Sequence, residues 1–116
     1  MRIIIPVVEN KGEKSRISSH FGRALYFALY NSENNRLKII KIKKEGFGGR
    51  SRLADDILKY KPNVIFALGM GPRAVNLLKS KGVRIETGDY ETVDDIIKNK
   101  DKLKEMEEAC KESRWK

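Results

Sequence analysis

Two short runs are apolar at every position and constrain the fold more than any other feature. They are Ile3 to Ile5, within the segment Arg2 to Val8, and Val64 to Leu68. A strand that is apolar on both faces must be covered on both sides, as in the parallel sheets of α/β proteins. We therefore predict that the two runs are adjacent, central, parallel strands with helices above and below. Pro6 cannot donate to a strand ladder, so it should lie near the strand's end or at a bulge.

The other apolar patterns complete the order βββαβαβα. Ser51 is expected to cap the first helix, Pro72 to occupy the first position of the second, and Thr92 with Asp95 to form a capping box on the third. The remaining predicted strands cover Ala24 to Tyr30, Arg36 to Lys44 and Val83 to Glu86.

The acidic C-terminal segment is expected to be helical. Leu103, Met106 and Cys110 recur at helical spacing between Lys100 and Glu112. This pattern indicates a domain over residues 1–98 and a charged helical tail over residues 99–116.

The composition suits one small domain. The chain has 116 residues, of which 40% are hydrophobic, and lacks an apolar run of the ~20 residues that cross a membrane. Its single cysteine, Cys110, excludes an intramolecular disulfide. We expect a soluble cytoplasmic protein, and the absence of glutamine beside abundant Lys, Glu and Ile is a weak sign of a thermophile.

The basic charge is concentrated in the body of the chain. Residues 1–84 have 18 basic and 6 acidic side chains, a net of +12, whereas residues 85–116 have 7 and 10, a net of −3. Such a body suits an anionic partner, although a solvated lysine-rich surface explains the same charge.

His20 is the only histidine. With one His and one Cys, the chain cannot build a closed zinc site, which needs four ligands of mostly these types. It could supply one or two ligands to a cluster that arrives with its other ligands, so binding is favoured over catalysis. On composition alone, a surface or capping histidine is the simpler interpretation.

The segment Gly69-Met70-Gly71-Pro72-Arg73-Ala74 fits a permissive phosphate-binding turn between a strand and a helix. If the turn bound a dinucleotide, Glu86, at the end of the next strand, would lie where an acidic residue binds the ribose. A tight turn that needs small residues is the alternative. Either way, we expect Gly71 to be intolerant of large substitutions, because the backbone approaches closely there, and Met70 to be tolerant.

Other catalytic or binding motifs are weak. No cluster of carboxylates at strand ends could hold two metals, and no Gly-x-Ser-x-Gly elbow presents a nucleophile. The loop from Gly46 to Gly49, flanked by Arg50 and Arg52, could close over an anion or be an ordinary connection. Nucleic-acid binding lacks an aromatic signature on a strand.

Two separated motifs carry a family resemblance. Ser18-Ser19-His20-Phe21-Gly22-Arg23-Ala24, after a strand that ends in Pro-Val, and Val64 to Ala74 resemble the dinitrogenase iron–molybdenum cofactor biosynthesis family, which includes NifX, NafY and the C-terminal domain of NifB. Gly82-Val83 and Thr92 to Ile96 are similar to its closing elements. The resemblance covers roughly residues 1–98.

The resemblance implies both a fold and a function. The fold is a ribonuclease H-like three-layer α/β/α domain, with a five-stranded mixed sheet of order 3-2-1-4-5 in which strand 2 is antiparallel. The function is non-catalytic carriage of an anionic iron–sulfur or iron–molybdenum cluster, or its precursor, with a cluster donor or acceptor protein as partner. His20 would be the metal ligand, and the expected cofactor-binding residues around it are Phe21, Gly22, Arg23, Gly69, Gly71 and Arg73.

A second class of function stays open. The Gly69 to Ala74 turn could instead serve a regulatory module that binds a nucleotide or another small anion. For cluster binding, we expect His20 near the carboxyl end of the first strand, beside that turn, where open α/β sheets bind ligands.

Overall fold

A computed structural model describes residues 1–42 and 49–105 of the chain. It is a mixed α/β fold in which one six-stranded sheet carries three helices. The strands are β1 (Arg2–Val7), β2 (Tyr26–Asn31), β3 (Arg36–Lys41), β4 (Val64–Phe66), β5 (Arg84–Thr87) and β6 (Lys104–Glu105), and the helices are α1 (Gly49–Leu58), α2 (Pro72–Ser80) and α3 (Val93–Lys98).

The two apolar runs form the centre of the sheet. The strand order is β3-β2-β1-β4-β5-β6, and β1 pairs in parallel with β4 through Ile3–Val64 and Ile4–Ile65. Strand β2 is antiparallel to both β1 and β3, while β4 and β5 are parallel. The predicted adjacency, the order of the first five strands and the direction of β2 are therefore confirmed. Pro6 lies next to the end of β1, as expected.

The sheet is covered on both faces because its central side chains alternate between two cores. Ile4 and Ile65 pack with α1 and α2 on one face. Ile3 and Phe66 pack with α3 on the other. All four side chains are at most 1% exposed. The helices thus form separate layers on the two faces, as the apolar character of β1 and β4 requires.

The sheet has a sixth strand where a helix was predicted, so the five-strand count and the helix across residues 100–105 are wrong. Residues Lys100–Lys102 form a single 3₁₀ turn, and Lys104–Glu105 pairs with β5 in antiparallel register. Leu103 packs against the core on the α3 face instead of lying on a helical stripe. Without β6, one side of β5 would have unpaired backbone N–H and C=O groups, which favour the pairing of another strand. The spacing of apolar residues in residues 100–105 carries no information about this partner. Met106 and Cys110 lie outside the described residues.

The helix starts agree with the sequence at two of three positions. Pro72 is the first residue of α2, and Thr92 and Asp95 form a capping box on α3. Helix α1 begins at Gly49, two residues before Ser51, so Ser51 does not begin this helix. No helix within residues 1–42 and 49–105 is long and apolar enough to span a membrane.

Glu86 is a buried carboxylate on β5, the strand next to the sheet edge formed by β6. It lies opposite Glu105 in the β5–β6 register, and its Oε2 is 2.8 Å from Nη2 of Arg84. Burial raises the pKa of the Glu86 carboxyl, the Arg84 guanidinium opposes that shift, and the carboxylate of Glu105 adds to it. The pairing of β6 with β5 therefore brings two like charges together.

We expect Glu86→Gln to stabilise the protein at neutral pH and to have less effect in acid. A raised pKa means that the folded state binds the proton more tightly than the unfolded state. The ionised carboxylate therefore weakens the fold above its folded pKa, and this cost vanishes below the ordinary value of 4.5. Urea unfolding at about pH 7 and about pH 4 measures the difference. The exposed carboxylate variant Glu13→Gln is the control. A less stable Glu86→Gln at neutral pH would show that the contact with Arg84 outweighs burial.

Candidate functional site

The candidate site lies at the carboxyl end of β1 and β4, where the chain leaves these strands in opposite directions. β1 leads towards β2 on one side, and β4 leads through α2 to β5 on the other. Residues 16–18 run antiparallel beside the end of β1: the N–H of Val8 donates to the carbonyl of Arg16 (3.0 Å), and that of Ser18 to Pro6 (2.8 Å). Divergence of this kind forms the crevice in which open α/β sheets bind ligands.

Ser18 holds the backbone of His20. Its hydroxyl donates to the carbonyl of His20 (3.0 Å) and accepts from the N–H of the same residue (3.3 Å). Ser18 is only 6% exposed, whereas the imidazole of His20 is exposed and does not cap the 3₁₀ turn Phe21–Arg23 that follows. The role of Ser18 was not predicted from the sequence. The sequence feature that could have predicted it is the position of Ser18 two residues before His20, from which a serine side chain can form hydrogen bonds with the nearby backbone.

A backbone hydrogen bond joins the two predicted motifs. The N–H of Phe21 donates to the carbonyl of Gly69 at 3.0 Å. The Phe21 ring is 2% exposed and packs edge-on against Phe27, with ring centroids 5.7 Å apart. The buried ring and the hydrogen bond together fix the turn that carries His20 against the turn that begins α2. The expected position of His20 beside the Gly69 turn is therefore confirmed.

Helix α2 begins at this junction without a side-chain cap. Gly71 is the capping residue, and Pro72, the first helical residue, has no N–H to donate. The first N–H groups of a helix lack partners within the helix, and its dipole places partial positive charge there. The start of α2 therefore suits an anionic group.

Two arginines border the same junction. Arg23 ends the 3₁₀ turn after His20, and Arg73 is the second residue of α2; both side chains are exposed. In the part of the chain that the structure describes, neither guanidinium is in an ion pair. A third cation at this end of the sheet, Lys41, lies 5.8 Å from the ring centre of Tyr26. The two arginines are thus available to an anionic ligand.

The close backbone approach expected at Gly71 is not found among the described residues, and the expectation that Met70 tolerates substitution is wrong. Gly71 has φ −70° and ψ 161°, a conformation open to any residue, and a Cβ there would meet no atom of residues 1–42 and 49–105 within 4 Å. Met70 is 3% exposed and belongs to the core beneath α1 and α2. The turn between β4 and α2 folds its middle side chain inward, so the apolar residue carries the packing and the glycine does not.

Other sequence candidates do not join the site. The side chain of Glu86 faces Arg84 within the sheet, which accounts for it without a ribose. The glycine loop 46–48 lies outside the described residues. Within residues 1–42 and 49–105, no three His, Cys, Asp or Glu side chains are grouped so that they could hold a metal ion.

Comparison with known proteins identifies the family. The model of the dinitrogenase iron-molybdenum cofactor family matches residues 1–103. The chain belongs to this family. Its match includes both joined turns and ends within the segment that leads into β6.

Several known proteins are similar to this chain in sequence or in fold. The uncharacterized protein MJ0580 of Methanocaldococcus jannaschii is 28% identical over 103 residues, which cover 84% of this chain and 83% of that protein. The crystal structure of PH0822 is 29% identical, with a TM-score of 0.77 and coverage of 93% and 96%. The NMR structure of TM1290 from Thermotoga, described as a candidate NifB protein, is 25% identical, with a TM-score of 0.74 and coverage of 90% and 91%.

We expect Met70→Ala to lower the free energy of unfolding by about 2–5 kcal/mol, the usual cost of emptying a buried site of this size. Leu68→Ala, two residues earlier and 38% exposed, should cost much less. Urea unfolding of both variants measures the contrast. Equal losses would show that the turn does not bury Met70.

Proposed function

We propose that this protein is a non-catalytic carrier of an anionic iron–sulfur or iron–molybdenum cluster, or of its precursor. The observation that carries the proposal is the hydrogen bond from Phe21 to Gly69, which sets the exposed imidazole of His20 beside the uncapped start of α2. Membership of the dinitrogenase iron-molybdenum cofactor family and the NifB description of TM1290 support it.

The roles of the residues follow from their chemistry. The unprotonated nitrogen of an imidazole coordinates iron or molybdenum, so His20 would be the metal ligand. Ser18 would orient it by holding its backbone. Phe21 and the buried Gly69 would anchor the two turns through their hydrogen bond. The lack of a side chain at the exposed Gly22 and Gly71 would let the cluster approach.

The charges around the imidazole suit an anionic cargo. The guanidinium groups of Arg23 and Arg73 can donate to sulfides or carboxylates, and the first N–H groups of α2 can do the same. A single protein ligand with weaker polar contacts holds a preformed cluster reversibly, as a carrier must. The protein that donates or accepts the cluster would meet this end of the sheet.

A small-anion or nucleotide-binding module is the alternative function. The uncapped start of α2 supports it, since a helix N-terminus attracts phosphate without a metal ligand. This alternative gives no role to His20. We also retain the ribonuclease H-like classification as a proposal, which the order β3-β2-β1-β4-β5 with β2 antiparallel supports.

We expect His20→Ala to lose roughly 10- to 100-fold in affinity for the cluster, as removal of metal-site groups typically does. The fold should be unchanged because the side chain is exposed. The test adds isolated iron–molybdenum cofactor anaerobically to each protein and measures the iron that remains after gel filtration. Ser19→Ala is the control in the same turn, and His20→Cys should restore part of the binding, since thiolate also ligates iron.

A spectroscopic measurement tests whether the imidazole lies at the bound cluster. His20 is the only histidine, so every imidazole signal in an NMR spectrum of the labelled protein comes from it. Addition of the cofactor should broaden or shift these signals. Equal iron retention by wild type and His20→Ala would overturn the role of His20. Failure of the wild type to retain iron, together with binding of inorganic phosphate, would favour the small-anion module.

A further inference from the structure

A polar groove lies at the amino end of β1 and β4, the end of the sheet opposite the candidate site. Arg2 is the first residue of β1, Asn63 precedes β4, and Asn31 is the last residue of the antiparallel β2. The groove has a volume of about 280 Å³, at the small end of the range for ligand pockets. Its lining residues are Met1, Arg2, Asn31, Glu33, Lys61 and Asn63.

The sheet brings three of these residues together. Arg2 pairs directly with Asn31 in the β1–β2 register, so their side chains share a face of the sheet. On its other side, the N–H of Arg2 donates to Oδ1 of Asn63 (2.7 Å), and the N–H of Asn63 donates to the carbonyl of Arg2 (2.9 Å). Three segments that are distant in the sequence are therefore held side by side at the groove.

Both asparagine side chains keep their donors available. Oδ1 of Asn63 accepts from the N–H of Arg2, and Oδ1 of Asn31 accepts from the N–H of Glu33 (2.9 Å). A backbone N–H can only donate, so each atom that it reaches must be the amide oxygen, and the NH₂ group is left as a donor. Neither NH₂ group has a hydrogen-bond partner within residues 1–42 and 49–105.

The charges at the groove are predominantly positive. In the described part of the chain, neither Arg2 nor Lys61 is in an ion pair. Glu33 is the carboxylate among the six lining residues, and its Oε2 lies 3.6 Å from the amino group of Met1. The lining thus offers two cations and two NH₂ donors, a set that suits an anion with several oxygen acceptors.

Lys61 has a backbone conformation that favours glycine. Its φ is +53°, and the other non-glycine residue with a positive φ in the described ranges is Asn35, a residue type that tolerates this region. Lys61 also precedes Pro62, and a residue before proline favours extended backbone. At the comparable position after α2, where φ is +82°, the chain has Gly82. Lysine at position 61 therefore costs stability that glycine would not.

The dipole of α1 does not explain this lysine. A cation near the end of a helix is favourable, but it need not occupy the left-handed position. After α2, the cation is Lys81 and the left-handed residue is Gly82. After α1, Lys59 already provides a cation two residues before Lys61. The side chain of Lys61 lines the groove, which gives the residue a different reason to be there.

We propose that this groove is a binding site for a small oxyanion, a phosphate or carboxylate group held by Lys61, Arg2 and the NH₂ groups of Asn31 and Asn63. The site is separate from His20 and from the start of α2, which lie at the carboxyl end of the same strands. It does not depend on the proposed carrier function.

Titration of the labelled protein with inorganic phosphate, and separately with acetate, tests the proposal by NMR. Sodium chloride holds the ionic strength constant. The side-chain NH₂ signals of Asn31 and Asn63 should shift and saturate with at least one of the two anions, and the anion that binds more tightly identifies the preferred group. No saturable shift of these signals with either anion would overturn the proposal. The same result would follow if phosphate shifted only signals at the start of α2.

Lys61→Gly separates binding from stability. It should melt at a higher temperature than wild type, because glycine fits the positive φ, and bind the anion roughly tenfold more weakly, the loss expected for one hydrogen bond to a charged group. Asn63→Asp should also lose binding. Its carboxylate still accepts from the N–H of Arg2, but it replaces the NH₂ donor with a negative oxygen.

Lys81→Gly is the matched control. It removes the same charge at the end of the neighbouring helix, where φ is −97°, and it does not line the groove. It should melt at a lower temperature and keep the affinity of wild type. Unchanged affinity in Lys61→Gly and Asn63→Asp would show that the proposal is wrong. A lower melting temperature for Lys61→Gly would also count against it, because the fold itself would then need the lysine.

Discussion

Burial of β1 and β4 on both faces is the constraint on which the rest of the structure depends. Their side chains alternate between two cores, so a single flat layer of helices could not cover them. Helices α1 and α2 must lie on one side and α3 on the other. Within the sheet, the strand order sends the chain from β1 towards β2 and from β4 towards β5, and the site forms at the carboxyl end where these paths separate.

The site is built mainly by backbone hydrogen bonds, with one buried ring as anchor. Ser18 holds the backbone of His20, and the N–H of Phe21 holds the carbonyl of Gly69. The groups offered to a ligand, by contrast, are exposed or lack a side chain. This division leaves an exposed imidazole on a rigid support, so a ligand can bind without disturbing the core.

Several sequence predictions succeeded because they depend on local or pairwise rules. The capping box at Thr92 and the position of Pro72 follow from the hydrogen-bonding capacity of single residues. The predicted central strands follow from continuous apolarity. The errors arose where the same spacing of residues is compatible with two different structures. Leu103 fits a helical stripe, yet it enters the core from a turn because β5 had a free side for β6. Gly71 fits a close-approach turn, yet the buried residue is Met70.

By itself, the sequence determined which segments must be buried, where α2 and α3 begin, and that His20 is the only imidazole available to a metal. These properties are carried by residue type and short-range pattern. Only the tertiary structure decided that Phe21 bonds to Gly69, that Met70 is buried, and that the sheet gains a sixth strand. Each of these depends on what lies across space from a residue, and that is set by how distant segments pack and not by their own spacing.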